Sequence, residues 1–191
     1  MPAALSTGSL SIDNDAHVDL SCATAISSTG SLNLLNGHFR LGNFNFTLAA
    51  TSWSWWQHLR QYQHDCNRGT GQLIKTIGTA FRALPILLVI MFRVMIILLV
   101  TVSFSANSTT RNLGVNVTDT RHPQDILVPD YISRYWSFTN TGAGTHTADV
   151  TFTYASGDVN GTLANIDLSR YDVNAASPTL NLEFLHYHTG W

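Results

Sequence analysis

Charged residues are scarce in this chain of 191 residues. Asp, Glu, Lys and Arg make up 12% of it and the formal net charge is −2, whereas a typical globular domain is roughly 25% charged. An electrostatic nucleic-acid binder needs clustered Lys and Arg; the chain has no tight basic stripe, which argues against a nucleic-acid partner. Asn, Thr, Ser and Gly take the place of the charges, a composition typical of extracellular all-β proteins with many turns.

Cysteine is scarce as well. Cys22 and Cys66 could form one disulfide but cannot define a disulfide framework, and we interpret them as two unrelated thiols. The first residues, MPAALSTGSLSIDND, lack the basic and apolar regions of a secretory signal peptide. They resemble the interior of a longer protein, so we expect the chain to be a fragment.

Recognisable catalytic motifs are missing. The sequence contains no Gly-x-Ser-x-Gly elbow, no Walker motif and no His-Glu-x-x-His. Its many Ser and Thr residues have no His and carboxylate in the context of an activated nucleophile. We therefore predict that the chain is not an enzyme and has neither catalytic residues nor a cofactor.

One long apolar run interrupts this polar chain. Residues 83–104 read ALPILLVIMFRVMIILLVTVSF, and roughly 20 apolar residues are enough to span a bilayer. Taken literally, the run predicts a transmembrane helix, with 86–102 as a single-pass anchor. Arg93 near its middle would cost roughly 2.5–3.5 kcal/mol on insertion scales, which does not forbid insertion.

The first fifty residues contain an internal repeat. GSLSIDN at 8–14 recurs as GSLNLLN at 30–36, and apolar residues alternate within both copies, as on half-buried strands. Short strands at a fixed period near 20 residues favour a β-solenoid-like fold for 1–50. An antiparallel meander with a chance repeat is the alternative.

Alternation returns after the apolar run. Strand-like patterns separated by Asn- and Gly-rich turns at 140–144 and 158–161 predict a β-sandwich-like domain over 105–191. Its predicted core aromatics are Trp136, Phe138, Phe152 and Tyr154. The predicted fold is thus mainly β, with an irregular linker at 51–82 and the apolar, literally helical segment at 83–104 between the two β-parts.

Residues of the types that bind metals come together at one place in the sequence. The only cluster is His58, His64 and Cys66 with Asp65 between them; its spacing matches no zinc pattern, and we interpret it as polar surface. His186 and His188 would share one face of a strand, and we interpret them as part of a terminal, solvated strand. We predict no metal site.

Two short segments resemble the opening of a calcium loop. These are Asp13 with Asp15, and Asp158 with Asn160 and Gly161. The full EF-hand pattern is absent, so we interpret both as turns in which Asp and Asn bond their own backbone. Four N-glycosylation sequons are expected from composition alone: Asn45, Asn107, Asn116 and Asn160.

Several segments together resemble one family, the large secreted surface proteins of bacteria that use type IX secretion. The similar segments follow the family's order and cover about two thirds of the chain: GSLNLLNGHFRLGNFNFTL (30–48), GTGQL (69–73), NLGVNV (112–117), YW (135–136), ADVTFTY (148–154) and RYD (170–172). The resemblance implies a non-catalytic structural or adhesive fragment, located outside the cell or on its surface, that binds a glycan or a protein.

The departures from this family fall at 51–68 and 83–100. Met and Trp each have one codon, so a shifted frame can be reconstructed: Trp53, Trp55 and Trp56 each become Gly, and 87–99 can read close to the family's missing Val-Gly-Asn and Tyr-Asn-Pro-Ala motif. We interpret both segments as frameshifted. If the apolar run is instead genuine, the alternative is a single-pass membrane protein with a C-terminal extracytoplasmic β-domain.

Overall fold

The computed structural model describes residues 5–26, 30–49, 53–54, 69–79, 86–92, 96–124, 129–172 and 180–187. These residues are mainly β, which confirms the predicted class. The strands are β1 Leu5–Thr7, β2 Leu10–Asp19, β3 Thr24–Ile26, β4 Ser31–Arg40, β5 Phe46–Leu48, β6 Trp53–Ser54, β7 Leu73–Ile77, β8 Ile86–Phe92, β9 Ile96–Asn107, β10 Arg111–Thr118, β11 Tyr131–Ile132, β12 Tyr135–Thr141, β13 His146–Phe152, β14 Val159–Asn160, β15 Asp167–Asp172 and β16 Leu180–Tyr187. Two single-turn 3-10 helices span Ser156–Asp158 and Leu163–Asn165.

The N-terminal strands form two parallel stacks. One stack runs β1-β3-β5-β7 and the other β2-β4-β6. Leu10 lies opposite Leu32, and Ser31 lies opposite Trp53, so the 22-residue sequence repeat is also the pairing register. Because the pairing is parallel, the alternative of an antiparallel meander is wrong for these strands.

The two stacks share one apolar core. Phe39 and Phe46 meet edge to face with ring centroids 5.1 Å apart, a favourable arrangement for an aromatic pair. Outside the core, Ser9 Oγ accepts a hydrogen bond from the backbone N–H of Ser31 at 3.0 Å, 22 residues later. The buried core side chains are Ile12, Ile26, Leu32, Phe39, Leu41, Phe46 and Leu48.

Strand β7 joins the parallel stack to an antiparallel sheet. It pairs in parallel with β5 and antiparallel with β10. The sheet then continues through β12 and β16 to β11 and β14, and β15 pairs with β16. Strands β6 and β7 both fall inside 51–82, where the sequence predicted an irregular linker; β7 finds a partner on each side, which fixes it as a strand.

Lys75 on β7 gives a pH-dependent prediction. Its Nζ donates a hydrogen bond to the carbonyl oxygen of Ala49, and burial lowers the pKa of Lys75 from 10.5 to about 8. Between these two pH values the unfolded chain holds a proton that the folded chain has lost, so stability rises with pH. We expect a gain of about 1 kcal/mol from pH 8 to pH 10, after allowing for solvent screening, and no such gain in Lys75→Met. Urea denaturation at the two pH values measures it; equal gains in both proteins would contradict it.

A three-stranded antiparallel sheet, β13-β9-β8, packs on the larger sheet. Val100, Val102 and Phe104 of β9 alternate inward, as strand geometry requires, and join a core cluster formed with β10 and β12. Of the predicted core aromatics, Trp136 and Phe138 are buried in this cluster, whereas Phe152 and Tyr154 are partly buried and pack against it.

The predicted helix at 83–104 is wrong for the residues that the structure describes. They form β8 and β9, paired antiparallel from Ile86 opposite Val102 to Phe92 opposite Ile96. Ile and Val are abundant here and favour strands, and an apolar run cannot by itself distinguish a buried strand from a helix. No helix in the described ranges has the length and apolarity to cross a bilayer.

Candidate functional site

A cleft of about 520 Å³ opens between the two layers of the C-terminal half. Its apolar wall includes Phe104, Phe138 and Phe152, and Leu168 stands at its mouth with 48% of its surface exposed. Its polar rim is formed by Asn140, His146, Thr147, Asp149 and Arg170. Its volume falls in the range of small-molecule sites, roughly 300–1,000 Å³.

The cleft arises because the two layers differ in width. Strands β13 and β9 cover β10 and β12, whereas β16 lies between β12 and β15 and extends the larger sheet further. Leu168 and Arg170 are two residues apart on β15, so both point to the same face of the sheet. They line the cleft opposite the β13 side chains.

A buried arginine lies behind the polar rim. Arg111 is only 1% exposed and donates hydrogen bonds to Asn107 Oδ1, to Asn140 Oδ1 at 3.2 Å and to the Thr145 carbonyl at 3.5 Å. Asn140 Nδ2 is in turn 3.3 Å from His146 Nε2. Within the described residues, all three acceptors of Arg111 are neutral, so this guanidinium keeps its positive charge close to the cleft.

His146 on the rim responds to this cation. Desolvation and, second, the Arg111 charge lower the pKa of His146 below its usual 6.5, so its imidazole is neutral at pH 7. On acidification through pH 6.5 the unfolded chain takes up a proton before the folded chain does, and stability falls. We expect His146→Gln to lose less stability than the wild type between pH 7 and pH 5. Urea midpoints at both pH values measure the loss, and identical losses would contradict it.

An aromatic and basic group covers the outer side of the larger sheet, and we call it the tyrosine surface. The buried His122 ring lies 4.8 Å from the Tyr135 ring and 5.6 Å from the Tyr171 ring. Arg121 stacks 4.0 Å above the Tyr131 ring, a cation–π arrangement. Tyr171 is 40% exposed and offers its ring to solvent.

Asp158 belongs to an ion network, not to a calcium loop. Its Oδ1 accepts a hydrogen bond from Arg134 Nη2 at 3.0 Å, and its Oδ2 accepts one from the Ala155 N–H at 3.0 Å. Of the predicted turn at 158–161, Asp158 ends a single-turn 3-10 helix, Val159–Asn160 form β14, and Gly161 follows at φ 83°. Both carboxylate oxygens already have donors, which leaves them poorly available to a cation.

The prediction of a turn at Asp13 and Asp15 is wrong. Asp13 lies within β2, where pairing with β4 is irregular between Asp13 and His17. Residues 14–16 of β2 interrupt the regular pairing, but β2 pairs with β4 on both sides of them. The segment is therefore an irregularity within a strand.

Five of the residues weighed above as possible metal ligands lie outside the described ranges. They are His58, His64, Asp65, Cys66 and His188. His186 lies in β16, which is an interior strand of the larger sheet and not a free terminal one. Cys22 carries a free thiol. Among the side chains that the structure describes, no three His, Cys, Asp or Glu residues come together as metal ligands.

The four sequon asparagines make hydrogen bonds within the fold. Asn116 is buried and donates to the Gly71 carbonyl, and Asn107 donates to the Gly78 carbonyl at 3.1 Å. Asn160 donates to the Asp158 carbonyl at 3.1 Å, and Asn45 accepts from the Gln72 N–H at 2.9 Å. Each of these four asparagines therefore helps to hold the fold together.

Sequence reasoning missed the residues around the cleft. Asn140 is the first residue of the predicted turn at 140–144 and His146 follows that turn, and this was the available signal. Arg111 and Arg170 lie at opposite ends of the C-terminal half of the sequence, and only the packing of the two layers places both near one opening.

Comparison with protein-family models, with curated proteins and with solved structures gives no match. The class of this protein is therefore described by its fold, which is mainly β with paired parallel stacks and an antiparallel two-layer part.

Proposed function

We propose that the chain is a non-catalytic structural and adhesive fragment of a secreted bacterial surface protein. In this proposal a β-solenoid spacer holds a β-sandwich, and the β-sandwich contacts a glycan or a protein outside the cell. The proposal places the chain in the class that its sequence resembles, the surface proteins exported by type IX secretion.

One observation carries the spacer part of the proposal. Two parallel stacks contain strand pairs that are offset by 22 residues, with Leu10 opposite Leu32 in one stack and Thr24 opposite Phe46 in the other. In such a stack each rung buries its apolar face against the next, so length can be added rung by rung while the core stays continuous. Strand β7 belongs to the stack and also to the antiparallel sheet, which favours a firm connection between spacer and displayed part.

The tyrosine surface supports the adhesive part. Tyr and Arg are enriched at binding interfaces because they combine a large contact area with hydrogen-bond donors. Tyr171 presents an exposed ring beside His122, and an aromatic face can pack against the C–H groups of a sugar ring. A glycan or a polar protein surface would suit this mixture of rings and donors.

Surface labelling tests the location. An antibody against the purified chain should label intact cells of the encoding bacterium, and protease added outside those cells should remove the label. A signal that appears only after lysis would contradict the proposal.

Retention on an array tests the adhesive part. The purified chain should retain a glycan or an extracellular protein, and Tyr171→Ala should weaken retention about threefold or more, as for an ordinary interface residue. Leu163→Ala is the matched control, because Leu163 is also exposed, at 50%, and lies on a separate 3-10 helix. Equal weakening by both substitutions would count against the tyrosine surface as the contact.

A further inference from the structure

The cleft between the two layers has the properties of a binding site for a small molecule. We propose that it binds a free, monomeric amphipathic anion, namely a carboxylate with an unbranched apolar tail. This inference goes beyond the adhesive function and does not depend on it, since the cleft and the tyrosine surface are formed by different residues.

The apolar wall determines the tail. Phe104, Phe138 and Phe152 come from three strands of both layers and line the cleft, and Leu168 extends this surface to the mouth while 48% exposed. Phe104 and Phe138 are already packed in the core, at 2% and 4% exposed. The apolar surface that a ligand would cover therefore belongs to the partly buried Phe152 and to Leu168, and covering it is worth about 25 cal/mol per Å².

The charges around the cleft determine the head group. Arg170 lines the cleft and Arg111 lies behind its rim, whereas Asp149 is the one carboxylate among the described lining residues. With His146 neutral, the balance near the opening is positive. The Arg111 charge is 1% exposed and is therefore screened by solvent less than a surface charge would be.

The nature of the hydrogen-bond partners supports a carboxylate in particular. Arg170 lines the cleft and is exposed, and a planar guanidinium can receive two carboxylate oxygens. The Asn140 amide and the His146 ring lie on the same rim and can donate to such a group. A cationic head would meet Arg170 instead and would be repelled.

Calorimetric titration with three probes, each built on an unbranched chain of about eight carbons counted with its head-group carbon where there is one, tests this inference. The probes are octanoate, 1-octanol and octyltrimethylammonium, each kept below its aggregation concentration and added to the intact chain. We expect octanoate to bind about fivefold or more tightly than octyltrimethylammonium, with octanol between them. Absence of octanoate binding, or equal affinity for the two ions, would overturn the proposal.

Paired variants locate the binding. Arg170→Gln should weaken octanoate binding about threefold and leave octanol binding unchanged, whereas Arg40→Gln removes the same charge from β4 and should change neither. Leu168→Gln should weaken binding of both probes about tenfold, and Leu163→Gln, at a similarly exposed leucine, should not. All four positions are exposed or half-buried, so folding is retained and can be checked by circular dichroism. Unchanged affinity in Leu168→Gln would overturn the proposal.

Discussion

Replacing Gly30 with alanine is expected to destabilise the protein by about 3 kcal/mol. Gly30 is buried directly before β4, and a Cβ on it would overlap the carbonyl oxygen of Gly8 and crowd the Cγ2 of Ile26. Overpacking commonly costs about 1–3 kcal/mol, and the upper end applies because the obstacle is backbone. Relief would require the Gly8 and Gly30 segments to separate, and with them the adjoining β2 and β4.

The matched control is the same substitution one repeat earlier. Gly8→Ala adds a methyl group where no atom lies within 4 Å, and we expect a change of about 0.5 kcal/mol or less. Urea denaturation followed by circular dichroism measures both variants, and an unchanged slope identifies the difference in midpoint as a difference in stability. Similar losses in the two variants would show that the Gly8 and Gly30 segments do not stack closely.

The parallel register of β2 and β4 follows the repeat in the sequence. A parallel stack places equivalent residues of successive rungs opposite one another, so the spacing of the repeat equals the pairing register. Ser9 bonds to Ser31, and Asn33 Nδ2 donates to Ser11 Oγ at 3.3 Å. The polar positions of the repeat are therefore in register as well as the apolar ones.

The apolar run shows where such reasoning fails. Its length satisfies the rule for a membrane-spanning helix, yet β8 and β9 form an antiparallel pair from it. The decision depends on partners far along the chain: β9 also pairs with β13, where Val102 lies opposite Val150, and its inward side chains pack on Trp136 and Phe138. A local pattern does not contain these partners.

The cleft could not be predicted for the same reason. Its volume depends on how far β16 and β15 extend beyond the three-stranded sheet, and β16 is the last described strand of the chain. The sequence predicted a terminal strand there, but nothing local indicates that it lies between β12 and β15. Alternation within the strands identified Trp136 and Phe138 as buried, whereas Phe152 and Tyr154 are only partly buried. The widths of the two layers depend on pairing between distant strands, which no local pattern contains.

Removing Arg134 is the second change with a large expected effect. Arg134 is 3% exposed, and its Nη2 lies 2.7 Å from Asp119 Oδ1 and 3.0 Å from Asp158 Oδ1. The ion network thus connects three chain segments: the end of β10, the link between β11 and β12, and the 3-10 helix before β14. We expect Arg134→Met to cost about 3–5 kcal/mol, since it leaves the Asp158 carboxylate buried without its cation.

A double-mutant cycle separates the ion pair from the loss of packing. Arg134→Met combined with Asp158→Asn should be more stable than Arg134→Met alone, because the second substitution removes the buried charge that the first leaves uncompensated. Asp119→Asn is the control at the more exposed partner, whose side chain is 30% exposed, and should cost about 1 kcal/mol or less. If the double variant were no more stable than Arg134→Met, Arg134 would stabilise the protein mainly through the packing of its side chain and not through its charge. The three segments would then be held by apolar contacts and by backbone hydrogen bonds, such as the one from the Ser133 N–H to the Asp158 carbonyl at 2.8 Å.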